Sequence, residues 1–468
     1  MLFRSDTIGV FQIESRAQMA MLPRLKPRCY YDLVIEVAIV RPGPIQGDMV
    51  HPYLRRRSGA EPVEYPGEAV RAVLHRTLGV PIFQEQVMHI AIVAAGFTPG
   101  EADALRRAMG AWKRTGGLDP FRERLLGGMH ARGYSDDFAQ RIYRQMLGFG
   151  EFGFPESHSL SFALLVYDSA WLKCYEPAAF TCALLNSQPM GFYAPAQLVR
   201  DARAHGVEVR AVDVGASDWD SSLERRTDGE PALRFGLRLV KRLSQAGAGR
   251  LVAARAARAF TSVADLASRA ALDRGDLEAL AAAGALASLS GNRHLAFWEV
   301  AGAERPLPLA PARVRGVDLE EGRPLLTAPS EGEAIVADYA ALGLTLGRHP
   351  LALLRPKLAA ARLLSAGEIA QAGHGAKVRT AGIVLMRQRP AAASGVTFVT
   401  LEDESGQVNV IVWERIGAAQ RRALIESQLL EVHGELQQQE GVTHLIARRL
   451  IDRTALLGEL ETRSRDFH

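Results

Sequence analysis

A chain of 468 residues exceeds what one hydrophobic core ordinarily organises and implies roughly two to four domains. Its 48% hydrophobic and 23% charged residues are the balance of a soluble globular protein, with no uninterrupted apolar run long enough to cross a bilayer and no apolar secretory core in MLFRSDTIGVFQIES. A net charge of +4 is mildly basic, and Cys29, Cys174 and Cys182 are too few and too badly spaced for zinc or a disulfide framework, so a reducing cytoplasm and no membrane association are expected.

In chain order, residues 1–200 read as helices broken by Pro and Gly. IGVFQIESRAQMAML carries apolar residues at helical spacing, and the loop RPGPIQGD follows DLVIEVAIV. Two helices flank FTPG, another spans DDFAQRIYRQMLGF, and FGFPESHS opens a long apolar helix. Residues 201–240 shift to strand alternation in GVEVRAVDV and ALRFGL around the loop ASDWDSSLERRTDGEP. Short Ala-rich helices fill 241–300, and 301–374 reads as a linker with short helices. In 375–455, KVRTAGIVLMRQ, GVTFVTLEDE, GQVNVIVW, LLEVHGELQQ and THLIARRL read as five strands, with the helix RIGAAQRRALIES between the third and fourth. That pattern predicts a small closed barrel, the OB-fold, followed by a tail at 456–468. The fold class is therefore multidomain and mainly α, with a C-terminal β-barrel. Phe398 and Trp413 can stack on bases or fill the barrel core.

Basic clusters concentrate early, in PRLKPR, LRRRSG, LRRAMGAWKR and FRERLL. They suit a phosphate-facing surface or a solvated helix face. In FTPGEADALRRAMGAWKR, Thr98, Pro99 and Glu101 form a capping box, and Leu105, Ala108, Met109 and Trp112 line the core face. Arg106, Gly110 and Lys113 share another face with Arg107 beside it; Asp103 offers these cations an ordinary helical ion pair. Arg41 lies in V-R-P-G-P, a rigid loop able to aim a guanidinium at phosphate or to act as a stiff turn.

Ser157, His158 and Ser159 stand where a helix begins. A hydrolase reading fails because the motif is not G-x-S-x-G and adjacent helical side chains diverge. A phosphate cradle of N–H groups, hydroxyls and imidazole remains, beside an ordinary cap. Asp218 and Asp220 have strand spacing suited to a two-metal site, but their Gly and Ser neighbours indicate a turn; Asp136 and Asp137 look like a helix start.

Together DTIGVFQIESRAQM, VRPGPIQGDMV, PIFQEQVM, LRRAMGAWKR and FPESHSLSFALLVYDSAWLK resemble the C-family bacterial DNA polymerases, relatives of the DNA polymerase III alpha subunit. FPESHS, SDWD and SRDFH resemble the error-prone, ImuC-type branch. The resemblance implies fingers, a helix-hairpin-helix region and an OB domain, with the palm aspartates that hold two Mg²⁺ ions lying upstream of Met1. It makes Arg41, Arg106, Arg107, Ser157, His158 and Ser159 candidates for the incoming deoxynucleoside triphosphate, with Lys113 a looser match. Phe162 stands where replicative relatives carry Tyr, and Glu156 where they carry Lys. In VKRLSQAGAGRLVAAR, Arg242 and Ser244 replace hairpin glycines, whereas Gly284 keeps a better second hairpin for DNA. No sliding-clamp motif is found, which implies clamp access through accessory mutasome proteins. The expectation is the C-terminal portion of an error-prone DNA polymerase that binds primer–template DNA and nucleotides and is inactive alone; the alternative is a non-catalytic nucleic-acid-binding scaffold.

Overall fold

Capping chemistry starts the helices of the first unit. Ser15 is extended, and its hydroxyl accepts from the Gln18 amide to open α1 (Arg16–Leu25). The helical spacing noted from Ile8 onwards therefore becomes a turn-rich lead-in, where Thr7 donates its hydroxyl hydrogen to the Ile13 carbonyl and Val10 and Ile13 are buried. The Asp32 carboxylate folds back onto the amides of Arg28 and Cys29 at the start of α2 (Tyr30–Ile39). Arg57, at the end of α3 (Val50–Arg57), clamps that carboxylate at 2.6 and 2.7 Å. After α4 (Glu68–Leu74) and α5 (Gln84–Ala95), α6 (Pro99–Gly110) shows the expected capping box: Glu101 donates its amide to Thr98 Oγ1 at 3.2 Å, and its carboxylate accepts the Thr98 amide at 2.7 Å. Helices α7 (Asp119–His130), α8 (Asp136–Gly148), which begins on its acidic pair, and α9 (Glu156–Tyr175) complete the unit.

These elements belong to a computed structural model describing residues 1–40, 50–110, 119–148, 154–190, 192–303, 324–389, 395–439, 442–462 and 464–467. The chain divides into two units, Met1–Tyr175 and Glu176–His468. Among the described residues no helix is long and apolar enough to cross a membrane.

In the first unit, α2 is largely apolar and buried from Asp32 to Ile39, with Asp32 and Glu36 the two carboxyls among its buried residues. It packs along α9, whose buried residues Ser159, Ala163, Val166, Ala170 and Lys173 recur every three or four positions. Lys173, 1% exposed along its side chain, reaches the Asp6 carboxylate at 2.9 Å and the Ile8 carbonyl at 3.0 Å. The opposite face of α9 exposes Leu164, Leu165, Tyr167, Trp171, Leu172 and Tyr175.

The second unit begins with α10 (Pro177–Asn186) and α11 (Pro195–Ala204). A three-stranded sheet of β1 (Val209–Arg210), β2 (Ser222–Arg225) and β3 (Pro231–Arg234) follows in the order β1-β3-β2. β2 falls in the expected loop because its order comes from charge: Glu224 accepts hydrogen bonds from Arg210 on β1 and Arg234 on β3. The hairpin region comprises α12 (Gln245–Ala257), α13 (Val263–Arg269), α14 (Arg274–Ala282), α15 (Ala287–Ser290) and α16 (Arg293–Ala301). Helices α17 (Glu331–Leu342), α18 (Pro350–Ala360) and α19 (Ala366–Gln371) lead into the barrel.

The five expected strands are present as β4 (Lys377–Gln388), β5 (Thr397–Asp403), β6 (Gly406–Val412), β7 (Leu429–Gln439) and β8 (Val442–Asp452). Pairings β4–β5, β5–β6, β6–β8, β8–β7 and β7–β4 close the circle. The single helix expected between β6 and β7 is two, α20 (Glu414–Ala419) and α21 (Arg421–Glu426), broken at Gln420, whose side chain accepts the Leu450 amide at 2.7 Å. The interior holds Val399, Leu401, Val410, Val432 and Leu445. A second apolar cluster, with Ile335, Leu351 and Leu358, seals Ala381, Ile383 and Leu429 on the outer face beneath α17 and α18. In the tail, β9 (Arg465–Phe467) adds a strand parallel to the end of β4.

Glu36 is fully buried in α2, and among the described residues neither carboxylate oxygen has a hydrogen-bond partner. Burial holds its pKa well above the usual carboxylate range. Burial also pushes Glu14 up to about 7, against a lowering hydrogen bond from the Gly9 backbone. A carboxyl raised in the folded state keeps its proton where the unfolded chain has lost it, so its stability contribution is complete below the unfolded value of about 4.3 and is lost as pH rises. Chemical denaturation from pH 5 to pH 8 is expected to show a shallower loss of stability for Glu36→Gln than for the wild type; parallel curves would remove Glu36 as a source of the slope.

Candidate nucleotide and nucleic-acid sites

The first candidate site lies at the N-terminus of α9. The Glu156 amide donates to the Glu85 carboxylate at 2.9 Å, so an acid from α5 caps the first turn. The Glu156 side chain accepts the Tyr31 hydroxyl at 2.7 Å and an Arg76 N–H at 3.5 Å, with the Arg76 guanidinium 3.7 Å from the Tyr31 ring centre. Burial and then the Glu156 hydrogen bond push the Tyr31 phenol above its usual range. Nothing in the local motif signals Arg76, whose partner is 80 residues further along the chain.

Ser157 and His158 are exposed. The His158 ring lies 5.2 Å from Phe154 and 4.1 Å from Phe162, and Phe162 meets Phe11 edge-on at 5.2 Å. This aromatic run fixes the imidazole's direction and explains how Phe162 serves without a hydroxyl. Ser159 sits differently from its neighbours. It is fully buried, and its hydroxyl donates to the Val34 carbonyl on α2. Neither serine has the geometry of a nucleophile activated by His158, as helical divergence implied.

On α6, Leu105 and Met109 are buried while Arg106 and Arg107 are exposed, as the periodicity predicts. Both arginines share Asp103, at 2.9 Å each, so the helical ion pair forms and leaves two cations over one carboxylate. Arg41, Lys113 and Trp112 lie outside the described residues.

In the second unit, Asp218 and Asp220 sit in a bend, as expected. Asp218 pairs with Arg255 and Asp220 with Arg238, so the two carboxylates serve separate arginines. They do not fit a shared divalent-metal site. At the first hairpin, Arg242 adopts a left-handed φ of 69°, the conformation for which glycine is suited. The Asp276 carboxylate accepts both the Ser244 amide and hydroxyl at 2.9 Å, holding the start of α12. At the second, Gly284 takes φ 72°; its amide and that of Ala285 return to the carbonyls of Ala281 and Leu280 and close α14. On the barrel, Phe398 projects from β5 and is half-buried, and Trp413 is 54% exposed at the start of α20. Neither belongs to the barrel's buried core cluster.

Residues 1–133 match the family described as the bacterial DNA polymerase III alpha subunit finger domain, 206–296 a helix-hairpin-helix motif, and 378–452 an OB-fold nucleic acid binding domain. The chain is 66% identical over 468 residues to an error-prone DNA polymerase of Alkalilimnicola ehrlichii, spanning all of this chain and 45% of the relative. Similar proteins of the same name from Methylococcus capsulatus and Pseudomonas aeruginosa are 60% and 58% identical, again over all of this chain and 46% and 45% of theirs. The chain thus spans less than half the length of these relatives.

Ser159→Ala is expected to cost about 1 kcal/mol of stability by losing the buried hydrogen bond to α2. The exposed Ser157→Ala is expected to stay within about 0.5 kcal/mol of wild type. Urea titration monitored by circular dichroism checks both, and equal effects would contradict the different placements of the two hydroxyls.

Proposed function

We propose that this chain, which belongs to the error-prone branch of the bacterial DNA polymerase III alpha-subunit family, supplies the incoming-nucleotide and template-binding parts of a DNA-directed DNA polymerase acting in translesion synthesis. The observation that carries the reading is the alignment of the whole chain, at 58–66% identity, with relatives named error-prone DNA polymerase.

In this reading a deoxynucleoside triphosphate meets the exposed face of α6. Arg106 and Arg107 share Asp103 in the free chain and turn to the triphosphate, whose greater charge outcompetes a single carboxylate. Arg41 and Lys113 join them from outside the described residues. Ser157 and His158 donate to phosphate oxygens, and the flanking phenylalanines keep the imidazole aimed. Ser159 works from behind, holding α9 against α2. Phe398 and Trp413 offer ring faces to unpaired template bases, and the Gly284 turn lies at the DNA-facing side of the hairpin region.

The complete enzyme joins the primer 3′-oxygen to the α-phosphorus while the bond to the leaving pyrophosphate breaks. For the chemistry that this reading implies, Mg²⁺ would be held by carboxylates outside the nucleotide- and template-binding parts named above and would supply the charge that steadies the phosphates. Asp218 and Asp220, each committed to its own arginine, do not supply that site, and no step of the reaction is assigned to them. Access to the sliding clamp runs through accessory proteins of the damage response.

A fluorescent deoxynucleoside triphosphate titrated into the 468-residue chain tests the α6 face. The Arg106→Ala/Arg107→Ala chain is expected to bind about tenfold more weakly, about 1.4 kcal/mol. Unchanged affinity would return both arginines to an ordinary solvated face.

A further inference from the structure

Arginines around the barrel are mostly paired. Arg355 is held by Asp403 and Glu404, Arg453 by Glu431, Arg422 by Glu426 and Arg200 by Glu402. One patch departs from this rule. Lys377 and Arg379 on β4 are exposed, and their side chains make no hydrogen bond or ion pair among the described residues.

The register gathers further nitrogen-bearing side chains around them, of which His433 is itself held by the Glu431 carboxylate at 2.6 Å. Arg379 lies opposite His433 on β7, which lies opposite Arg449 on β8; Lys377 lies opposite Glu435. Strict alternation would turn one of two successive β8 residues inward, but the bulge at His433/Gly434 leaves both Arg448 and Arg449 exposed. Gly434 is required there, because a Cβ would lie 2.3 Å from the Ile446 carbonyl oxygen. The result is a groove of about 590 Å³ lined by Lys377, Arg379, His433, Glu435 and Arg448. Glu435 is its only carboxylate and meets Arg448 at 3.4 Å, so the lining keeps excess positive charge.

The groove also has a physical boundary. Ala381 and Ile383, further along β4, are sealed beneath α17 and α18. Two residues before Ala381 the cover ends and the cations begin. Packing another apolar helix there would desolvate unpaired charges, whereas an anionic polymer would neutralise them. Cations on adjacent strands stand about 5 Å apart and alternate residues along a strand about 7 Å, a repeat suited to successive phosphates.

We propose that this β4–β7–β8 groove is a second nucleic-acid contact on the barrel, binding the phosphodiester backbone of single-stranded DNA by charge rather than by base stacking. It lies away from Phe398, which pairs with Gln388 at the far end of β4. The proposal rests on the reading of the chain as a DNA-binding part of a polymerase. The two contacts divide the work: ring faces hold bases, and the groove holds the strand's backbone as it leaves.

The test is the salt dependence of oligothymidylate binding to the 468-residue chain, followed by fluorescence anisotropy. Neutralising two phosphate contacts in Lys377→Gln/Arg379→Gln is expected to weaken binding and make the log K against log salt slope shallower by about 1.4. Trp413→Ala is expected to weaken binding with the slope unchanged. Arg448→Gln, expected to change the slope by about half as much, serves if the double variant does not fold. A double variant that folds and binds with wild-type slope overturns the groove alone. A wild-type chain that fails to bind oligothymidylate overturns both the groove and the functional reading beneath it.

Discussion

The packing of α2 against α9 is the constraint on which the placement of Ser157 and His158 depends. A helix buried along its length must be surrounded, and α9 meets it with Ser159, Ala163, Val166 and Ala170, small side chains that let the two axes approach closely. Two polar contacts fix the rotation and axial position of α9: Ser159 to the Val34 carbonyl near one end, and Lys173 to Asp6 and Ile8 near the other. With Ser159 turned inward, helical geometry turns Ser157 and His158 outward. The same rotation exposes Leu164, Tyr167 and Trp171 along the rest of the helix. One buried hydroxyl thus sets the direction of the two exposed side chains beside it.

Helix starts are natural places for phosphate, yet in this chain acids stand at two of them. Glu85 takes the first amide of α9, and Asp276 takes the amide and hydroxyl of Ser244 at the start of α12. Glu156, beside Ser157, is itself tied to Tyr31 and Arg76. Carboxylates at these positions satisfy the N–H groups and oppose a second anion. Cations in excess of carboxylate instead accumulate on the exposed face of α6, where Arg106 and Arg107 share Asp103, and on the barrel at Lys377 and Arg379. Electrostatic grip is thereby shifted from backbone amides to side chains on rigid elements.

The legible parts of this architecture are those in which local chemistry and periodicity agree. Thr98 and Glu101 specify their capping box within four residues, and the short β-branched run of KVRTAGIVLMRQ and the alternation in GQVNVIVW leave few choices besides strands. The same alternation does not reveal β2, whose pattern is half polar and whose order depends on Glu224 bridging two arginines distant in sequence. In α9, apolar residues occur on every side, so no stripe tells which of Ser157 and Ser159 faces inward; only the partner helix decides. Arg76 and Asp276 were invisible for a related reason, since each finds its role through a residue tens of positions away. The exposure of Trp413 likewise depends on where the barrel closes, which the spacing of strands alone does not settle.

If this chain holds substrate and relies on carboxylates elsewhere to turn it over, primer extension shows it: the purified 468-residue chain, primer–template DNA, all four deoxynucleoside triphosphates and Mg²⁺, with DNA binding measured in the same buffer. The expected result is a bound primer–template and no lengthened primer. A primer extended by these 468 residues alone would show that they carry the catalytic carboxylates themselves.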